Sequence, residues 1–226
     1  NLLTNITIKI NDKLFLKDPE SSEIGKSIIK NSILLIDEIG FEEFTFKKLG
    51  EKIGSPECTI YRYFESKHRI LLYLTTWYWS RLEYRLLFSI ANISSPKERL
   101  RNAIKVFTET VKDEGSYSHI NEVILYKIIV VESTKSYLTK KVDDANNDGL
   151  YETYKRVVQR GADMILALQP SYKYSHMLIS TVMEGAHQHR HFAEHLPKLT
   201  DVKNKDQDIT TFFTEIVFKT IKIETT

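Results

Sequence analysis

The segment from Phe44 to Leu72, FTFKKLGEKIGSPECTIYRYFESKHRILL, constrains this chain more than any other. Thr45 is a good helix N-cap, because its hydroxyl can accept from the free backbone donors of a first turn. Phe46, Leu49 and Ile53 follow at helical spacing, with Lys47, Lys48, Glu51 and Lys52 between them. Gly54 ends that helix, since the left-handed conformation costs glycine least. Ser55 can cap the next helix, and Pro56 suits its first position because the missing N–H has no partner there anyway. The second helix, about Glu57 to Phe64, turns Ile60 and Phe64 inward and leaves Glu57, Cys58, Thr59, Arg62 and Tyr63 on its other faces. So short a helix is marginal alone and must be held by packing. Two short helices around a glycine turn, ahead of a long third one, form the layout of a helix-turn-helix, whose second helix can enter the major groove of DNA.

The run Thr45, Leu49, Gly54, Thr59-Ile60-Tyr61-Arg62-Tyr63-Phe64, Glu65-Ser66-Lys67 and Ile70-Leu71 resembles the DNA-binding domain of the TetR family of transcriptional regulators. The resemblance covers residues 22–75; beyond them it is one of helical architecture. It implies that Glu57, Cys58, Thr59 and Tyr63 sit where base edges are read, with Arg62 beside them. It implies also that Tyr61 and Lys67 grip phosphates, with Thr45 and Lys48 adding backbone contacts. The chain departs from the family's pattern at Gly50, Ser55, Pro56, Cys58 and Glu57. A carboxylate at Glu57 repels phosphate, though it favours a helix N-terminus. Charge supports a second reading, a protein-interaction module with a degenerate head. Between residues 41 and 70, Lys47, Lys48, Lys52, Arg62, Lys67 and Arg69 barely outnumber Glu42, Glu43, Glu51, Glu57 and Glu65.

The whole chain carries a net charge of only +2 over 226 residues, so affinity for nucleic acid has to come from local placement and from doubling the head in a dimer. The single cysteine, Cys58, excludes an intramolecular disulfide and fits a reducing compartment. No stretch approaches the ~20 apolar residues of a membrane span, and the first residues lack a basic-then-apolar leader pattern. A cytoplasmic protein that engages no membrane is expected.

The expected fold is all-α: an N-terminal three-helix helix-turn-helix domain over 21–70 and a helical regulatory and dimerisation domain over 71–226, preceded by a short β-hairpin arm within 1–20. The hairpin expectation rests on alternation in Ile6-Thr7-Ile8-Lys9-Ile10 and Lys13-Leu14-Phe15-Leu16-Lys17 around Asn11-Asp12. Ser21-Ser22 open a first helix with Ile24, Ile28, Ile29, Leu35, Ile36 and Ile39 on its buried face, stopped by Gly40. One long helix is expected from Lys67 to about Ile93, then helices near 96–113, 119–133, 144–168, 172–193 and 206–223.

By the resemblance, the central helices hold a pocket for an apolar small-molecule effector. Trp77, Arg81, Phe107, Tyr126 and Tyr154 are its candidate lining, aromatic walls with a few polar groups being what such a ligand needs. The resemblance also makes the protein a homodimer through its last two helices, a twofold arrangement that matches a palindromic operator in double-stranded DNA. Met177, Val182, Met183 and Ala186, then Ile209, Phe212, Phe213, Ile216, Val217, Thr220 and Ile221, supply apolar stripes at helical spacing. Ser180 and Gly185 permit close approach. Glu184, His187, His191 and His195 fall three and four residues apart on one helical face and are weak metal-ligand candidates. Pro197 suggests that the helix frays before His195, and such density on a solvent face is ordinarily polar surface. Glu65…His68 and Glu184…His187 repeat a Glu-x-x-His spacing, but in distant parts of the chain. No phosphate loop, nucleophile elbow or Cys–His arrangement is present, so neither a cofactor nor an enzymatic activity is expected.

Overall fold

The computed structural model describes residues 8, 10–112 and 119–223, and its described residues are helical with no strand. Eleven α-helices are described: α1 Glu23–Glu43, α2 Phe46–Ile53, α3 Glu57–Tyr61, α4 Lys67–Ile90, α5 Pro96–Thr108, α6 Glu122–Glu132, α7 Thr134–Tyr137, α8 Val142–Asn147, α9 Glu152–Leu168, α10 Ser175–His195 and α11 Lys205–Thr220. None is long and apolar enough to cross a membrane. The all-helical expectation holds.

The hairpin arm does not form among the described residues; Ile6, Thr7 and Lys9 lie outside them. The Asn11-Asp12 turn signal is used differently. Asn11 caps a 3-10 turn over Asp12–Leu14, its side chain accepting from the Lys13 N–H at 3.0 Å. Its amide also donates to the Gly149 carbonyl at 3.2 Å. Leu14 is thereby driven into a cluster with Leu72, Ala145 and Leu150, while Leu16 stays 60% exposed and gives its N–H to the Tyr63 carbonyl at 2.7 Å. The apolar alternation of residues 13–17 is therefore split between helices and solvent, and offers no face to a partner strand.

The chain divides into two compact units, Asn1–Tyr78 with Val111–Glu152, and Trp79–Thr110 with Thr153–Thr226. They do not follow a contiguous partition at residue 70, because α6, α7 and α8 cluster with the head. In the first unit, Asp18 and Ser22 cap successive turns into α1. α1 packs on α2 and α6, and α2 packs on α3. In the second, α5, α10 and α11 pack on one another. Glu83 there accepts from Arg156 at 2.7–2.9 Å and from Arg160 at 2.7 Å, which ties the second half of α4 to α9. The single helix expected over 144–168 is broken at Gly149 (φ 75°) into α8 and α9. α10 runs unbroken to His195, two residues before Pro197 starts a 3-10 turn, so the expected fraying does not occur.

Candidate nucleic-acid interface

α2 begins as its residues dictate: the Thr45 hydroxyl accepts from the Lys48 N–H at 3.2 Å. It ends at Gly54 in the left-handed conformation (φ 65°), a conformation that favours glycine. The turn is tight. A Cβ on Gly50 would stand 2.7 Å from the Ser55 carbonyl oxygen, so the small residue in α2 is what lets the turn close over it. Ser55 does not cap α3. Pro56 occupies the N-cap position itself, with no side-chain cap, and α3 starts at Glu57. Glu57 thus sits in the first turn, where a carboxylate complements the helix N-terminus.

α3 is shorter than expected, five residues ending at Tyr61. Ile60 and Phe64 are fully buried behind it. Glu57, Cys58 and Arg62 are exposed, Tyr61 is 49% exposed, and Thr59 is half-buried. The outward face of α3 therefore offers a carboxylate, a thiol, a hydroxyl, a phenol and a guanidinium. Tyr61 stands edge-on to Phe46 with ring centres 4.8 Å apart, which fixes its direction.

Two residues assigned by resemblance to DNA contact do other work here. Tyr63 is buried, not outward: its phenol lies 2.8 Å from the Ser22 hydroxyl at the start of α1, and Lys17 lies over its ring. Because α3 ends at Tyr61, the following turn rotates Tyr63 to the rear of the head. Lys67 donates to the carbonyls of Phe41 (3.0 Å) and Glu42 (2.8 Å) and rests over the Phe41 ring. An ammonium there satisfies carbonyls that the end of α1 leaves open. Nearby, Lys48 pairs with Glu43 at 3.2 Å and Lys52 with Glu38 at 2.7 Å, so part of the head's positive charge is offset at the surface.

The sequence reading missed Glu132. This buried carboxylate of α6 accepts from the Phe41 N–H at 3.1 Å and pairs with Lys135 at 2.8 Å, which reaches on to Glu42 at 2.9 Å. The hydrogen bonds to Glu132 and Glu42 hold the Lys135 ammonium above its usual pKa. The signal for it was a lone carboxylate closing the apolar run Ile128-Ile129-Val130-Val131.

The candidate ligand-lining residues fall in both units: Trp77 and Tyr126 in the first, Arg81, Phe107 and Tyr154 in the second. Trp77, Arg81, Phe107 and Tyr126 are buried. Within the second unit, Tyr154 stacks on Trp79 at 4.4 Å and donates to Glu184 at 2.6 Å. The metal-ligand candidates do not converge, and no group of three or more His, Cys, Asp or Glu could hold a metal ion among the described residues. Glu184 is engaged by Tyr154, His191 lies against His195 with ring centres 4.5 Å apart, and His187 is buried 6.1 Å from the Trp79 ring.

His187 gives a pH prediction. Burial, helped by the Arg190 charge, lowers its pKa from 6.5 to about 4. The unfolded chain then binds a proton that the folded chain refuses, so stability is complete above pH 6.5 and is lost as pH falls towards 4. Between about pH 7.5 and pH 5 the loss should be about 2 kcal/mol. Urea midpoints at the two pH values should show it, and His187→Gln should flatten the difference. An unchanged slope in that variant would assign the effect elsewhere.

No family model matches the chain, and no curated relative matches its sequence. Solved structures do match. A TetR-family transcriptional regulator from Rhodococcus sp. is 17% identical, covers 88% of this chain and 100% of its own, and superposes with a TM-score of 0.62. AibR in complex with isovaleryl coenzyme A and operator DNA is 16% identical, with 86% and 96% covered and a TM-score of 0.55. The superantigen PfiT is 18% identical, with 90% and 97% covered and a TM-score of 0.56. The chain has the fold of the TetR-family transcriptional regulators.

Proposed function

We propose that the protein is a sequence-specific, DNA-binding transcriptional regulator that acts as a homodimer, a repressor released by an apolar small molecule. The observation that supports this best is the asymmetry of α3: its rear is locked by Ile60, Phe64 and Tyr63, while Glu57, Cys58, Tyr61 and Arg62 face outward. A five-residue helix with a buried back and a polar, donor-bearing front is suited to reading a groove. Thr59 and Arg62 are the contacts proposed for bases and backbone, with Tyr61, Thr45 and Lys48 on phosphates. Lys67 is retained only as a residue that positions the end of α1. Dimerisation is assigned to α10 and α11, where Met177 (65% exposed) and Phe212 (49% exposed) remain uncovered within the subunit. Release by an apolar small molecule stands on the resemblance.

A second reading, a protein-interaction dimer that no longer binds DNA, is favoured by the pairing of Lys48 and Lys52 with carboxylates. A fold also hosts unrelated functions. Selection from random duplexes at two salt concentrations separates the two. Enrichment of a palindrome, with affinity falling steeply as salt rises, supports the regulator. Arg62→Ala should then weaken all sequences several-fold, and Thr59→Ala should alter preference at one position per half-site. A stable dimer with no enrichment would transfer the assignment to the interaction module.

A further inference from the structure

The connection from α10 to α11 encloses a recess of about 320 Å³ in the second unit, at the small end of the range for ligand pockets. Its aromatic side is an interlocked trio. His189 meets Phe212 edge-on at 5.7 Å and Phe213 at 6.2 Å, and the two phenyl rings meet each other at 5.1 Å. The imidazole is held in place by Nδ1, 3.1 Å from the Thr200 hydroxyl. Phe213 and Ile209 are buried, whereas Phe212 is 49% exposed, so the cluster has a packed floor and an open lip.

The charged groups that line this recess are Asp201, Asp208 and Lys198, and the Lys203 ammonium acts on Asp208 from beside it. Asp208 is fixed in place by the backbone. Its carboxylate accepts from the N–H groups of Asn204 at 2.7 Å and Lys203 at 2.8 Å. Asn204 is the N-cap of α11 and Lys203 precedes it, so these two bonds fix Asp208 beside the loop that leads into the helix. The same two hydrogen bonds, helped by the Lys203 charge, hold this carboxylate below its usual pKa. The lining itself carries two carboxylates and one ammonium beside aromatic rings whose faces carry negative charge, a composition that suits a cation.

We propose that this recess is a binding site for a small organic monocation with an aromatic or hydrocarbon body, its charge directed to Asp201 and Asp208 and its body to Phe212 and Phe213. This goes beyond the regulator reading and does not depend on it. The site uses neither the head nor the central aromatics.

Benzyltrimethylammonium is a suitable probe, small enough for the recess and without a proton to lose. Calorimetric titration of the full chain should show saturable binding, with phenylacetate and benzyl alcohol at least tenfold weaker. Asp201→Asn lies on an exposed loop and should weaken the probe about tenfold without changing the urea midpoint. Val202→Trp should block it by filling the recess. Phe212→Leu should weaken it several-fold, with sedimentation run in parallel because Phe212 also lies on the proposed dimer surface. Binding that survives Asp201→Asn and Val202→Trp, or phenylacetate that binds as well as the cation, overturns the proposal. No binding by the probe, together with self-association lost in Phe212→Leu, overturns it too and makes the recess a contact between copies of this chain. The probe-binding results do not bear on DNA selection, so the two readings fail separately.

Discussion

Arg190→Ala is expected to cost the unit built on α5, α10 and α11 about 2 kcal/mol, the scale for leaving a buried acceptor unsatisfied when its charged donor is removed. Arg190 is buried and donates to the Thr108 carbonyl at 2.6 Å, while a second guanidinium nitrogen meets Asp206 at 2.9 Å. Asp206 also accepts from the Thr110 N–H and hydroxyl at 3.0 and 2.7 Å. Burial pushes the Asp206 carboxyl up, but the Thr110 hydrogen bonds and the Arg190 charge outweigh it and leave the pKa lowered. Removing the guanidinium would strand the Thr108 carbonyl and take the nearest positive charge from Asp206. Arg190→Lys should recover only part of the loss, because one ammonium does not reproduce the planar fork that serves two acceptors. Equilibrium denaturation checks this; a loss below about 0.5 kcal/mol would mean that water replaces the guanidinium at little cost.

Phe64→Ala is expected to be larger, about 3–5 kcal/mol, and to act on the head. Phe64 is fully buried and meets the Tyr73 ring edge-on at 5.6 Å. α3 has five residues and no side-chain cap, so it has little stability of its own. Emptying the space behind it should release α3 before the rest of its unit, seen as early amide exchange at Thr59–Tyr61. If DNA is the ligand, affinity should fall for every sequence alike, since the reading surface is lost as a whole. Intact protection of those amides would show that Ile60 and Tyr63 hold the helix without it.

The helix-turn-helix was legible because its signals are local. Thr45, Gly54 and the Ile60/Phe64 pair each act within one turn of the chain, and all behave as their chemistry predicts. What depended on a distant partner was not legible. Alternation around Asn11-Asp12 looks like a hairpin only while Leu14 has nowhere else to go, and Leu72, Ala145 and Leu150 provide that place. Tyr63 and Lys67 carry groups that suit DNA, but Ser22 and the carbonyls of Phe41 and Glu42 engage them first. The recess beside Phe212 and Phe213 was read only as an apolar stripe, because its depth comes from the loop over 198–202.

The Glu132 contact bears on how the protein can be cut. Segments near residues 41, 67 and 132 meet at one helix end, joined by a carboxylate on the Phe41 N–H and an ammonium on the Phe41 carbonyl. A fragment stopping after the third helix of the head would lose Glu132, Lys135 and the Ala145/Leu150 cover of Leu14 together. The helix-turn-helix is contiguous in sequence yet completed by a carboxylate 91 residues beyond Phe41, so it is not a transplantable cassette. Grafts that carry it to another body need α6, α7 and α8 as well.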